Sequence, residues 1–125
     1  MSRIRDRDTK PELVVRSMVH ALGYRFQLQR KDIDGCPDLA LTGRRKLIFV
    51  HGCFWHMHGC RRGRSEPKTN AEFWRNKRET NAARDTRITR RLRRQGWGVL
   101  TAWECELRDP ARLRRRLERF LSAAR

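Results

Sequence analysis

The chain has 125 residues, enough for one domain, 1–125, around a modest core and too few for a second. Lysine and arginine number 31 against 14 acids, and this net charge of +17 calls for a polyanionic partner without telling DNA from RNA or a membrane surface. No apolar run approaches the roughly 18 residues of a membrane span, and Met1-Ser2-Arg3-Ile4-Arg5 has no signal-type apolar stretch, so a cytoplasmic protein is expected.

Thr9 and Glu12 stand as a capping box before Leu13, Val14, Met18 and Leu22, with Gly23 as terminator, which predicts an amphipathic helix ending near Ala21 or Leu22. Three strands are expected next: Tyr24 to Gln29, alternating in polarity; Asp38 to Leu41, after a Gly35-Cys36-Pro37 turn; and Lys46 to Val50. Their connections are too short for a crossover, so they should form an antiparallel meander. A polar loop with Arg61, Arg62, Gly63 and Arg64 precedes a second box, Thr69 and Glu72. That box opens a long helix whose inner face carries Phe73, Trp74, Lys77, Asn81, Asp85, Ile88 and Leu92. Phe73 is expected in the core. Val99 to Trp103 reads as a fourth strand, which can lie parallel to the third because a helix leads to it. Asp109-Pro110 caps a last helix with Leu113, Leu117, Phe120 and Leu121 on one side and arginines on the other. The fold class is therefore α/β: a small mixed sheet flanked by helices.

Chemistry concentrates in His51-Gly52-Cys53-Phe54-Trp55-His56-Met57-His58-Gly59-Cys60, which holds three of the four histidines and two of the four cysteines. In a reducing compartment such a set serves a metal more readily than a disulfide. Cys53, His58 and Cys60 can converge from one loop, and Cys105 joins them if the fourth strand neighbours the third, giving a closed tetrahedral zinc site. Spacing equally permits His56 in place of His58. Histidines not consumed by zinc remain available for proton transfer. Asp38, at the start of an inner strand and facing the end of the next, is placed where an oxygen ligand for Mg²⁺ would hold a scissile phosphate. Glu12 is a second carboxylate, whose role in the capping box is an alternative. Phe54 and Trp55 lie in a polar loop with no helical or strand stripe to absorb them, so they suit stacking on bases or wedging between them.

Pro37-Asp38, the string HGCFWHMHGC, the Asn70 to Asp85 helix with Glu72-Phe73-Trp74 and Lys77, and Gly96-Trp97 followed by Trp103-Glu104-Cys105 together resemble the very-short-patch repair (Vsr) endonuclease family, from about Arg7 to the last helix. The resemblance implies a restriction-endonuclease-like fold. It also implies Mg²⁺-dependent nicking of one strand at a T:G mismatch, left where 5-methylcytosine has deaminated. By the same resemblance, Asp38 and the main-chain carbonyl of Val50 hold magnesium, two ions being implied, and His56 is the general base. His51 sits beside the phosphate, and Glu12 and Asp85 support the metal waters and an imidazole. Cys53, His58, Cys60 and Cys105 match the ligands of one structural zinc. Phe54 and Trp55 match the wedge beside the mismatch, and Met1 an apolar residue entering from the other groove. Trp74, Lys77 and Asn81 belong to the DNA-binding set. The Glu-x-Lys usual on the strand after the Asp in such folds reads Phe49-Val50-His51 here, a replacement the whole family makes, so histidine stands in for lysine. Relatives also usually carry a longer arm before the Thr9 helix.

The implied partner is mismatched double-stranded DNA, bound by a monomer associated with the bacterial nucleoid, with mismatch-repair proteins as candidate partners. Three rivals share parts of this reading. A sequence-specific nuclease cutting both strands would need paired sites. A zinc-stabilised binding protein would leave Asp38 a mere turn residue. An RNA-associated structural protein gives Phe54 and Trp55 no task.

Overall fold

The computed structural model describes residues 9–53, 58, 60 and 69–123. Met1, Phe54, Trp55 and His56, four of the residues singled out in the sequence, lie outside that set.

Helix α1 spans Lys10–Ala21, with Thr9 as an extended N-cap and Pro11 in the first turn, where its missing N–H costs nothing. The Thr9 side chain makes no capping bond, so the expected box does not form. Glu12 instead turns inward, only 4% exposed. The buried stripe is Val15 and Val19, while Leu13 stays 49% exposed, because the face that meets the sheet is rotated from the one the apolar run marked. Gly23, at φ +93°, stops the helix with a backbone that side-chain-bearing residues rarely adopt.

The sheet has four strands in the order β1 (Gln27–Leu28), β2 (Leu39–Leu41), β3 (Lys46–His51) and β4 (Gly98–Trp103). The first three pair antiparallel and β4 lies parallel to β3, as the connection lengths predicted. Strand β1 is shorter than its alternating pattern, Tyr24 to Gln29, implies. Only Gln27 and Leu28 find partners, opposite Ala40 and Leu39, and Gln29 leaves the strand at φ +47°. Tyr24 and Phe26 nevertheless pack on the core.

Helix α2 spans Ala71–Arg94 and begins one residue later than the Thr69 box implies, behind Asn70 at φ +54°. Its second half packs Ile88 and Leu92 against Leu47, Phe49 and Val99 on one face of the sheet. Phe73 lies in the first half and is 60% exposed, not in the core. Helix α3, Pro110–Ser122, has Asp109 accepting a hydrogen bond from the Arg112 N–H at 3.2 Å. Leu113, Leu117 and Leu121, one turn apart, pack with α1 on the opposite face of the sheet. Each is at most 1% exposed, and burying each contributes about 2 kcal/mol.

The end of the β2–β3 turn and the first residue of β3 carry three consecutive cations, and each closes a helix. Arg44 donates to the Leu121 carbonyl at 3.2 Å, and Arg45 donates to the Gln95 carbonyl at 2.6 Å. Lys46, 4% exposed, donates to the carbonyls of Phe120, Leu121 and Ala123. These are the unsatisfied C-terminal carbonyls of α3 and the end of α2, where positive charge also opposes the helix dipole. Burial pushes the Lys46 pKa below its ordinary value, with the Arg44 charge adding to the effect.

Candidate active site and metal centre

Because β2 runs antiparallel to β3, the residue just before β2 meets the end of β3. That residue is Asp38, and its Oδ2 accepts the Val50 N–H at 2.6 Å. Burial pushes the Asp38 pKa up to about 6; the Glu12 carboxylate adds to the rise, while the Val50 N–H and Arg16 oppose it. Glu12 reaches the same place from α1, accepting from Arg16 and from Gln29 at 3.3 Å each.

Alternation along β3 sends Leu47 and Phe49 toward α2, and His51 follows them. Its Nδ1 stands 3.9 Å from Asp85 Oδ2 on α2, an electrostatic contact longer than a hydrogen bond. The imidazole is framed by the rings of Phe49 at 5.8 Å and Trp103 at 5.4 Å. Glu12, Asp38, Val50, His51 and Asp85 line one cleft of about 580 Å³, with Arg84 and Thr89 on its α2 wall. Its other wall is the loop 31–36, which presses on α2 at Gly35. A Cβ there would stand 2.7 Å from Ile88 Cγ2, and φ is +79°, so only glycine permits this approach. Arg91 pins the same loop through Asp34 at 3.3 Å.

One residue pair further along, the parallel register puts His51 opposite Trp103. The chain past each strand then delivers Cys53 and Cys105. Ligand atoms of Cys53, His58, Cys60 and Cys105 all lie within 4.8 Å of one another. The Cys105 N–H donates to Cys53 Sγ at 3.3 Å, Cys105 Sγ is 3.5 Å from His58 Nδ1, and the His58 ring stacks on Trp103 at 4.1 Å. Burial pushes the Cys53 thiol up to about 12 and raises Cys105 as well. A zinc ion fits this donor set: three soft sulfurs and an imidazole at tetrahedral reach, in a place that disfavours thiolates unless a cation balances them. Among the described residues His58 is the histidine in the cluster; His56, the alternative that spacing left open, lies outside them.

The cleft thus unites Glu12, Asp38, Val50, His51 and Asp85, and the second cluster unites the four expected zinc ligands. Trp74, Lys77 and Asn81 stand apart from both, on the first half of α2. Lys77 Nζ is 5.8 Å from the Trp74 ring, and Asn81 is one turn before Asp85 on the same face. Sequence reasoning missed Gln29 and Arg16, which orient Glu12, and Trp103, whose place between two imidazoles follows from the parallel register. It also missed Arg78, a cation 2% exposed on α2.

Comparison with known proteins follows the same pattern. The family profile of the DNA mismatch endonuclease Vsr matches residues 1–62. The type II nicking enzyme V.XorIIP of Xanthomonas oryzae pv. oryzae is 48% identical over 121 residues, 97% of this chain and 88% of that protein. V.NmeAIP, a type II nicking enzyme of Neisseria meningitidis, is 38% identical over 97% of the chain and 86% of its own length. The DNA mismatch endonuclease Vsr of Escherichia coli is 41% identical over 113 residues, 90% of this chain and 72% of that enzyme.

Proposed function

The chain belongs to the DNA mismatch endonuclease Vsr family, and from that membership we propose that it nicks one strand of duplex DNA 5′ to the thymine of a T:G mismatch within a particular sequence context, initiating very-short-patch repair. The observation that carries this reading is the half-buried Asp38 carboxylate, bonded to the Val50 N–H and sharing one cleft with Glu12, His51 and Asp85.

A carboxyl made costly to ionise by burial and by a neighbouring carboxylate suits a divalent cation, whose charge would offset that cost. Asp38 and the Val50 carbonyl are the proposed magnesium ligands, for two ions, with Glu12 holding metal waters. Bound there, magnesium would supply charge neutralisation at the scissile phosphate and at the leaving 3′-oxygen.

The chain's own groups do the rest. His56 takes the proton of the attacking water, and His51 stands beside the phosphate as a donor. Asp85 Oδ2 faces that ring, 3.9 Å from His51 Nδ1. The products are a 5′-phosphate and a 3′-hydroxyl. Zinc held by Cys53, His58, Cys60 and Cys105 would tie the chain on either side of His56 to the ends of β3 and β4. Phe54 and Trp55 from that loop, and Met1 from the other groove, pry open the mismatch, which resists less than a matched pair. Trp74, Lys77 and Asn81 contact the DNA near it from α2. The whole chain acts as one catalytic domain and as a monomer, and mismatch-repair proteins are candidate partners.

The test is cleavage of end-labelled T:G and fully matched duplexes in pooled sequence contexts, with and without Mg²⁺. A Mg²⁺-dependent cut confined to the thymine strand of mismatched duplex is expected. Cuts in both strands of matched duplex would make the protein a restriction-type nuclease, and binding without any cut would remove the catalytic role of Asp38.

A further inference from the structure

Three hollows on this molecule share walls. The carboxylate cleft meets a second hollow of about 470 Å³ across His51, Asp85 and Thr89. The second meets a third, of about 450 Å³, across His58 and Trp103. The result is a track from Asp38 past the Cys/His cluster to the start of α3, around the edge of β4.

The charges along it are unevenly committed. In the third hollow, Glu106 is consumed by the Trp103 N–H at 2.9 Å and by Arg116 at 2.6 Å, and Asp109 accepts the Arg112 N–H. Glu106 is therefore met by a cation, and Asp109 is engaged as the cap of α3. Arg108 and Arg112 line the same hollow, are exposed, and make no ion pair among the described residues. Arg90, exposed on α2, lines the middle hollow in the same uncommitted state.

We infer that this track carries the DNA backbone away from the cleft and that Arg108 and Arg112 form a second phosphate site at its far end, with Arg90 between the two. The inference rests on the nuclease reading and adds to it a direction for the bound strand. Uncommitted guanidiniums around a hollow are matched to phosphate in shape and charge, and they hold a backbone without reading its bases. The site should thus contribute affinity alike in every sequence context and leave the chemical step untouched.

Salt dependence of DNA binding tests it, because removing one phosphate-neutralising cation lowers the slope of log K against log salt by about 0.9. The probe is a pool of end-labelled T:G duplexes, intact or trimmed stepwise on either flank. The pair Arg108→Ala with Arg112→Ala should lower the slope by about 2 and leave the nicking rate at saturating DNA unchanged. Over the interval from about 50 to 200 mM salt, its affinity should then fall roughly tenfold less than the parent's. Arg114→Ala with Arg119→Ala removes the same charge from exposed positions on α3 that do not line the track, and should change the slope less. Trimming one flank should abolish the difference between the parent and the Arg108/Arg112 pair. Equal slopes for the two double variants, or a difference that survives trimming on both flanks, would overturn the inference. A parent protein that nicks no duplex would instead bring down the nuclease reading itself.

Discussion

The two ends of this sheet treat charge in opposite ways. At the end formed by the β2–β3 turn, Arg44, Arg45 and Lys46 are spent on helix carbonyls and aromatic faces: Arg44 lies 4.6 Å from the Tyr24 ring, Arg45 4.3 Å from Trp97, Lys46 5.2 Å from Phe120. At the other end, Glu12 and Asp38 share a cleft, and burial holds Asp38 far above its ordinary pKa. One end is satisfied by the chain's own backbone. The other keeps a carboxyl that burial makes costly to ionise, the kind of perturbed group that marks a candidate binding site. A run of basic residues in a strongly basic protein is therefore not by itself a nucleic-acid patch; what it already bonds to decides.

The sharpest way to break the comparison is at the Cys/His cluster, which is proposed to hold the functional end together through zinc. Cys105→Ser, or stripping the metal with a strong chelator, should cost several kcal/mol and abolish both the cooperative melt and nicking. Re-melting after zinc is restored checks it for the chelated parent. Asp38→Asn should leave the fold intact but reduce the nicking rate by at least about 10³-fold, measured in single turnover. At the opposite end, Lys46→Met leaves three helix carbonyls without their donor and should destabilise by about 2 kcal/mol in urea melts, with the salt slope of DNA binding unchanged. Arg45→Ala, which removes one carbonyl bond and one aromatic contact, should cost about 1 kcal/mol and likewise leave nicking alone. A change in nicking by either basic-turn variant would erase the distinction between the ends.

Much of this was legible because the sheet's connections are short. The meander and the parallel fourth strand follow from loop length, and the parallel register alone brings Cys105 to Cys53. The string from His51 to Cys60 carried the metal reading because soft ligands have few other reasons to cluster. What stayed hidden depended on tertiary partners. Glu12 could be a site carboxylate or a capping residue from sequence alone, and only its burial with Gln29 and Arg16 puts it at the cleft. Phe73 looked like core, but α2 extends beyond the sheet and leaves it outside. The strand at Tyr24 to Gln29 reads longer than it is because β2, its partner, has three residues. The tasks of Arg44, Arg45 and Lys46 stayed hidden, since no local pattern reveals a distant helix end.

The most direct test of the account is the melting of Asp38→Asn beside the parent across pH, in magnesium-free buffer that leaves zinc in place, with nicking assayed in parallel. Because the folded pKa of about 6 lies above the unfolded value, the folded parent holds the extra proton between about pH 4 and 6 and loses stability as pH rises through that window. Above it the ionised carboxylate costs the fold about 2–3 kcal/mol, a cost that Asn, still able to accept the Val50 N–H, does not incur. The account predicts a variant more stable than the parent at about pH 7.5, equal to it below about pH 4, and unable to nick. A variant less stable at neutral pH, or one that still nicks mismatched DNA, would contradict it.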